Sequence, residues 1–263
     1  MTKRINIYCV TYNNNENIIR NINKFIATTD HLSPDTVKFN YIIINNHSEL
    51  ELDEVSYNEE LIDFAVFENW LRPDHSCGHL ARDYNMGLIH GFQDLNNPAV
   101  DQVILLHDDS IWNDGWYEDL EEIHKTYTFY AGDWGDGLTS YLPDAVKQIG
   151  LWDERFCNIG YHEADYFLRA KIFNPDKSSI NDHGAGRVWN ATKEIFTHAQ
   201  ENVGKMESHD ASARYHDLTH ALFMEKWNCS PVNWWNSVGV LPTQPLIKSW
   251  AFYPYYEKDC RLP

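Results

Sequence analysis

The sequence contains no Cys-x-x-Cys pair. Its five cysteines, Cys9, Cys77, Cys157, Cys229 and Cys260, are scattered and odd in number, which argues against both a zinc ribbon and a disulfide framework. A reducing compartment, the cytoplasm, is the expectation. No apolar run approaches the roughly 20 residues that span a bilayer. Lys3 and Arg4 precede only a short strand-like run to Val10, so no signal region is read and the chain is expected to be soluble, unprocessed and without a membrane span. Positive charge is scarce, with 21 Lys and Arg against 39 Asp and Glu, a net charge of −18. Nucleic acid or an anionic membrane surface would be repelled over roughly a Debye length, about 8 Å. Internal repeats and low-complexity tracts are lacking too.

What is present is a core. Of 263 residues, 43% are hydrophobic and 14% aromatic, enough for one large domain or a domain with an appendage. Residues 1–227 read as the main domain. Residues 228–263, rich in proline and aromatics, read as an extension that wraps it.

Strands alternate with amphipathic helices along the first half. Residues 5–11 and 41–45 read as strands, 64–67 as a shorter one, and 103–107 as a fourth. Between the first two, Ile18, Ile19, Ile22, Phe25 and Ile26 recur on one helical face after the turn at residues 13–15. A loop carrying Pro73 and Gly78 leads into a helix at about 80–92. Strand, helix, strand with short polar turns predicts βαβ units, and hence an α/β fold with an open, mostly parallel sheet flanked by helices. The second half is less regular. Helical spacing covers 114–127, residues 131–142 read as loop or short strand, Pro143 opens a short helix, and 160–169 enters another.

Ligands of such a sheet bind beyond the carboxyl ends of its strands. Three polar clusters fall there: Thr11-Tyr12-Asn13, Asn45-Asn46-His47-Ser48 and His107-Asp108-Asp109. The last follows the buried-strand pattern Val103-Ile-Leu-Leu106 and offers hard oxygen ligands beside an imidazole, a setting for a divalent ion. Read by themselves, the acids equally fit a polar cap on a core strand, and Glu163 and Asp165 fit simple complementation of a helix dipole.

The order of these motifs resembles family 2-type, nucleotide-sugar-dependent glycosyltransferases of the GT-A fold. Asn6-Ile-Tyr-Cys-Val-Thr-Tyr-Asn13 is similar to the family's opening strand and turn, Ile42-Ile-Ile-Asn-Asn-His-Ser48 to its second strand, and Ala81-Arg-Asp-Tyr-Asn-Met-Gly87 to its Ala-x-x-x-Asn-x-Gly helix. Leu106-His-Asp-Asp109 stands at the Asp-x-Asp metal motif, and Gly150-Leu-Trp-Asp-Glu-Arg-Phe156 precedes the acidic helix. The resemblance covers about residues 5–171. Two departures stand out: Asn45 replaces the usual base-reading aspartate, and His107 replaces the first aspartate of the metal motif.

The resemblance implies a transferase that moves a sugar, of hexosyl or deoxyhexosyl type, from a UDP, GDP or TDP donor to a glycan or other hydroxyl acceptor, with inversion. It implies Mn²⁺ or Mg²⁺ at Asp109, with His107 and a downstream histidine, His183 or its rival His198. Donor contacts fall on Thr11, Tyr12, Asn13, Asn45, Asn46, Arg82, Asn85 and Asp108. The base falls on Glu163, with Asp165 beside it. Trp112, Trp152 and His162 are expected on the acceptor side.

Two other classes share some of these features. The dipeptides His107-Asp108, His209-Asp210 and His216-Asp217 recur in metal-dependent phosphohydrolases, although there they belong to helical bundles. Ten tryptophans and the aromatic tail, including Trp234, Trp235, Trp250, Phe252, Tyr253, Tyr255 and Tyr256, fit a non-catalytic carbohydrate-binding module as well as core packing.

Overall fold

The structure, a computed structural model, describes residues 2–47, 50, 52, 56–69, 80–132, 135–156, 160–198 and 216–227. In chain order these form β1 (Lys3–Thr11), α1 (Asn15–Thr29), β2 (Val37–Asn45), β3 (Ile62–Glu68), α2 (Leu80–Phe92) and β4 (Gln102–His107). There follow β5 (Ser110–Trp112), α3 (Trp116–His124), β6 (Phe129–Ala131), β7 (Leu138–Tyr141), α4 (Pro143–Ile149) and α5 (Tyr161–Phe173). The last are β8 (Ser178–Asp182), β9 (Arg187–Trp189), β10 (Phe196–His198) and α6 (His216–Trp227).

Eight strands make one sheet in the order β3-β2-β1-β4-β7-β6-β8-β9. The half from β3 to β4 is parallel throughout, as the strand and helix alternation predicts. β7 enters antiparallel between β4 and β6, and β6 pairs parallel with β8. Side chains alternate between the faces because strand periodicity is two. Tyr8 and Val10 pack with α2, α4 and α5 on one side, while Ile7 and Cys9 pack with α1 and α3 on the other. Both faces are therefore covered, which is why β1 and β4 read as nearly continuous apolar runs.

Helix α2 lies unusually close to the sheet. A Cβ on Gly91 would stand 2.5 Å from Val103 Cγ2, so the helix backbone itself meets β4. β2 begins four residues earlier than its apolar pattern indicates, because exposed Lys38 and half-buried Asn40 break that pattern near the strand's start. The stretch 131–142, read as loop or short strand, contributes the end of β6 and all of β7 to the sheet. The loop of Pro73 and Gly78, Ser48, His209, and the aromatic extension 228–263 lie outside the described residues. Among the described residues no helix is long and apolar enough to cross a membrane.

Helix α6 is fastened to α5 by buried charge. Lys226 Nζ lies 2.9 Å from Asp153 Oδ2 and 2.6 Å from Asp165 Oδ1, all three side chains being inaccessible. Asp165 also takes Arg169 Nε at 2.9 Å and the Trp227 indole N–H at 2.8 Å. Removing one member of such a cluster leaves the others desolvated and unbalanced. Lys226→Ala is expected to lower the unfolding free energy by about 3–5 kcal/mol, seen as a lower urea midpoint; an unchanged midpoint would show that the cluster adds nothing to stability.

Candidate active site

The site forms where the strand ends meet α5. β4 ends at His107, and the chain turns through Asp108 and Asp109 into β5. Asp108 is buried and takes the Thr11 hydroxyl at 2.6 Å. Burial pushes its carboxyl up to about 8, and the repulsion of Asp109 adds to this, against the Thr11 hydroxyl and two backbone N–H groups. Asp109 behaves oppositely. Burial alone would raise its pKa, but His198 and the neighbouring His107 outweigh it and hold the carboxyl below its usual value.

A two-stranded ribbon brings the histidine there. β10 pairs antiparallel with β5, with His198 opposite Ser110, and His198 Nε2 comes to 3.2 Å from Asp109 Oδ2. His183 takes no part. Its side chain is 56% exposed and lies 3.7 Å from Glu194, since the Gly-rich turn between β8 and β9 carries it outward. Asp109 Oδ1 and His107 Nε2 are buried atoms with no hydrogen-bond partner among the described residues. Buried polar atoms are normally bonded. Hard oxygen and imidazole nitrogen left in this state fit a divalent cation, and Asp109, His198 and His107 are the residues that would hold it.

A second cluster lies alongside. Asp136, in the turn before β7, takes His162 Nε2 at 2.6 Å and lies 3.8 Å from His107 Nε2. Those two imidazoles overcome the effect of burial and hold Asp136 well below the usual carboxylate range. Glu163, in the first turn of α5, lies 2.5 Å from Arg187 Nη2. Arg187 is itself paired with Asp182 on β8. Burial pushes Glu163 up to about 7 in spite of Arg187, and Asp136 adds to the rise.

Asp136, His162 and Glu163 bring possible ligand atoms within 4.8 Å of one another. Each already has a partner, however, and Arg187 supplies the positive charge that an ion would bring. This cluster therefore fits proton transfer better than metal binding. A carboxyl poised near neutrality and buried beside a second, ionised carboxylate is the setting of a general base.

Several expected residues are spent elsewhere. Asp165 serves the buried Lys226 cluster, on the side of α5 away from Glu163's partners. Asn85 clamps the backbone of Trp152, accepting its N–H at 2.8 Å and donating to its carbonyl at 2.9 Å. Trp152 is buried, stacked on Tyr166 at 4.2 Å. Trp112 is buried on the opposite face of the sheet, 4.3 Å from Trp116 with its indole N–H on Asn21. Neither tryptophan has a face for a sugar. His162 is buried against Asp136, and Thr11 gives its hydroxyl to Asp108.

The remaining candidates stay at the crevice edge. Tyr12 packs on His47, Asn13 holds a left-handed backbone with φ 53°, and Asn46 donates to Asp83 at 2.7 Å. Arg82 is half exposed and 3.5 Å from Glu154. Asn45 donates to Glu68. Asp136, Asp182 and Arg187 were not foreseen. Asp136 lies between Gly135 and Gly137 in a stretch that reads as loop or short strand, and Asp182 directly precedes the candidate His183. His216 shares a hydrogen bond with Tyr161 at 3.3 Å and lies 3.7 Å from Asp217, so it does not join the strand-end acids as a phosphohydrolase pattern would require.

No protein-family model and no curated protein matches the sequence. Solved structures do match in fold. The mannosyltransferase PcManGT from Pyrobaculum calidifontis, in complex with GDP-Man and Mn²⁺, gives a TM-score of 0.50 at 10% identity, over 88% of this chain and 67% of that one. A mutant of Drosophila β1,4-galactosyltransferase 7, in complex with manganese, UDP-Gal and xylobiose, gives 0.51 at 11% identity, over 83% and 79%. The chain thus has the α/β GT-A fold of glycosyltransferases.

Gly135 lies against the second cluster, its N–H donating to Asp182 Oδ1 at 2.9 Å. Its φ is 69°, and a Cβ there would fall 2.3 Å from Glu163 Oε2. Gly135→Ala is expected to cost about 1–3 kcal/mol in stability from backbone strain alone, measured by urea unfolding. A variant as stable as the parent would show that the turn relaxes freely.

Proposed function

We propose that the protein is a metal-dependent, inverting glycosyltransferase of family 2 type, moving a hexosyl or deoxyhexosyl group from a nucleotide-diphosphate-sugar to a glycan hydroxyl. The observation that carries this reading is the pairing, at one crevice edge, of Asp109 and His198 with a separate buried base, Glu163. The fold's occurrence in the mannosyltransferase and the galactosyltransferase supports it. Those two proteins bind donors of different bases, so the fold by itself leaves UDP, GDP and TDP open.

Asp109, His198 and His107 would hold a divalent ion, Mn²⁺ or Mg²⁺, which would supply positive charge for the diphosphate that leaves. The chain's own groups do the rest. Glu163, when ionised, accepts the proton of the acceptor hydroxyl as its oxygen bonds to the anomeric carbon and the bond from that carbon to the phosphate oxygen breaks. Arg187 and Asp136 fix the carboxylate's place and stop it from turning to other partners. Asp108, held by Thr11, remains the candidate contact to the donor's ribose or sugar. A single displacement inverts the anomeric centre.

Glu163→Gln keeps the shape but cannot accept a proton, so transfer is expected to fall about 10²- to 10⁴-fold with donor binding retained. Because only the ionised carboxylate works, the wild-type transfer rate should rise with pH through about 7 and then level off. A flat profile from pH 5 to 9 in a chemistry-limited assay would remove Glu163 from the role. Asp109→Ala should abolish Mn²⁺-dependent thermal stabilisation by nucleotide-sugars. If stabilisation persists undiminished, the ion is held elsewhere.

A further inference from the structure

We propose that the donor site selects guanine, and that Glu68 is the residue that selects it. This rests on the reading of the protein as a nucleotide-sugar transferase and goes beyond it to the base. β1, β2 and β3 end in register, Thr11 opposite Asn45 and Asn45 opposite Glu68. Asp109 follows β4, which lies on the far side of β1. Neighbouring strands are about 4.8 Å apart, so the ends of β2 and β3 stand about 10–14 Å from that of β4. A nucleotide with its phosphates near Asp109 spans this distance and lays its base over Asn45 and Glu68. Tyr12 and His47, packed edge to face with centroids 4.8 Å apart, add an aromatic surface at the same place for a base to stack on.

The polar groups there have a defined sense. Asn45 is fully buried, its Nδ2 donating to Glu68 Oε2 at 2.8 Å and its Oδ1 accepting the His47 N–H at 3.3 Å. That fixes the amide with its nitrogen toward Glu68 and its oxygen toward the loop backbone. Among the described residues the exposed Glu68 carboxylate then stands at the rim, and it only accepts hydrogen bonds.

The bases differ in what they offer such a group. Guanine presents two adjacent donors on its Watson–Crick edge, N1–H and the N2 amino group, which meet a carboxylate in a two-pronged fit. Uracil and thymine present one imide N–H flanked by two carbonyl oxygens that a carboxylate repels. Adenine and cytosine set their amino group beside an acceptor nitrogen. The aspartate that the resembled glycosyltransferases carry at the Asn45 position would suit a lone imide N–H. Moving the carboxylate one strand outward, and holding it with an amide, suits the guanine pair.

The test is thermal-shift titration of the full chain with GDP, UDP, TDP, CDP and ADP, each with Mn²⁺. GDP is expected to bind at least about 10-fold more tightly than the others. Glu68→Gln, and likewise Glu68→Ala, should lose about 10- to 100-fold for GDP alone. Glu68→Gln keeps a side-chain oxygen for the buried Asn45 amide, so its unliganded melting temperature should hold, whereas Glu68→Ala removes that acceptor and its nucleotide affinities are compared with one another rather than by melting temperature alone. UDP or TDP binding as tightly as GDP, or a GDP preference that survives both substitutions, overturns guanine selection and leaves the transferase reading standing. Failure of every nucleotide to bind overturns both.

Discussion

The crevice is organised by the cost of burying negative charge. Asp108, Asp109, Asp136, Glu163 and Asp182 are each at most 9% exposed, in a chain that already carries a net charge of −18. A buried carboxylate without a partner is unstable, so each must be protonated, hydrogen-bonded or paired with a cation. The protein uses all three remedies within one edge of the sheet. Asp108 keeps its proton near neutrality, Asp109 and Asp136 lean on imidazoles, and Arg187 spans Glu163 and Asp182. Different remedies leave the acids in different protonation states, which lets one crevice offer both an anionic ligand set and a proton acceptor.

The parallel half of the sheet was legible because its strands are buried on both faces and its helices show a clear apolar stripe. α2 occupies residues 80–92, the range read from the sequence, and β4 gains only Gln102. The strands beyond β7 carry no such signal. β8 is Ser-Ser-Ile-Asn-Asp, a buried strand of polar residues whose side chains bond locally, as Ser179 and Asn181 do with Thr192. Hydropathy cannot report a strand made that way.

Within the site, the residues of the strand ends were legible and their partners were not. The identity of Asp109 and Glu163 as candidates follows from their place after a strand and at a helix start. The choice between His183 and His198 depends on the register of a three-residue ribbon, and no spacing in the sequence encodes it. Trp112 and Trp152 illustrate the opposite limit. Aromatic composition is the same whether a ring faces sugar or core, and here both rings face core.

The β5 and β10 ribbon has a consequence for assembly. Asp109 and His198 meet only through three residue pairs, Phe196 with Trp112, Thr197 with Ile111 and His198 with Ser110. The parallel half of the sheet is complete at residue 107, but Asp109 and His198 meet only once residues 196–198 have paired with β5. Loop closure of that length is slow compared with local pairing, so the sheet core can form well ahead of the ion site. If the proposed ion binds there, its affinity would report whether residues 196–198 have docked, and the ion would act as a clasp between the early-pairing strands and the ribbon.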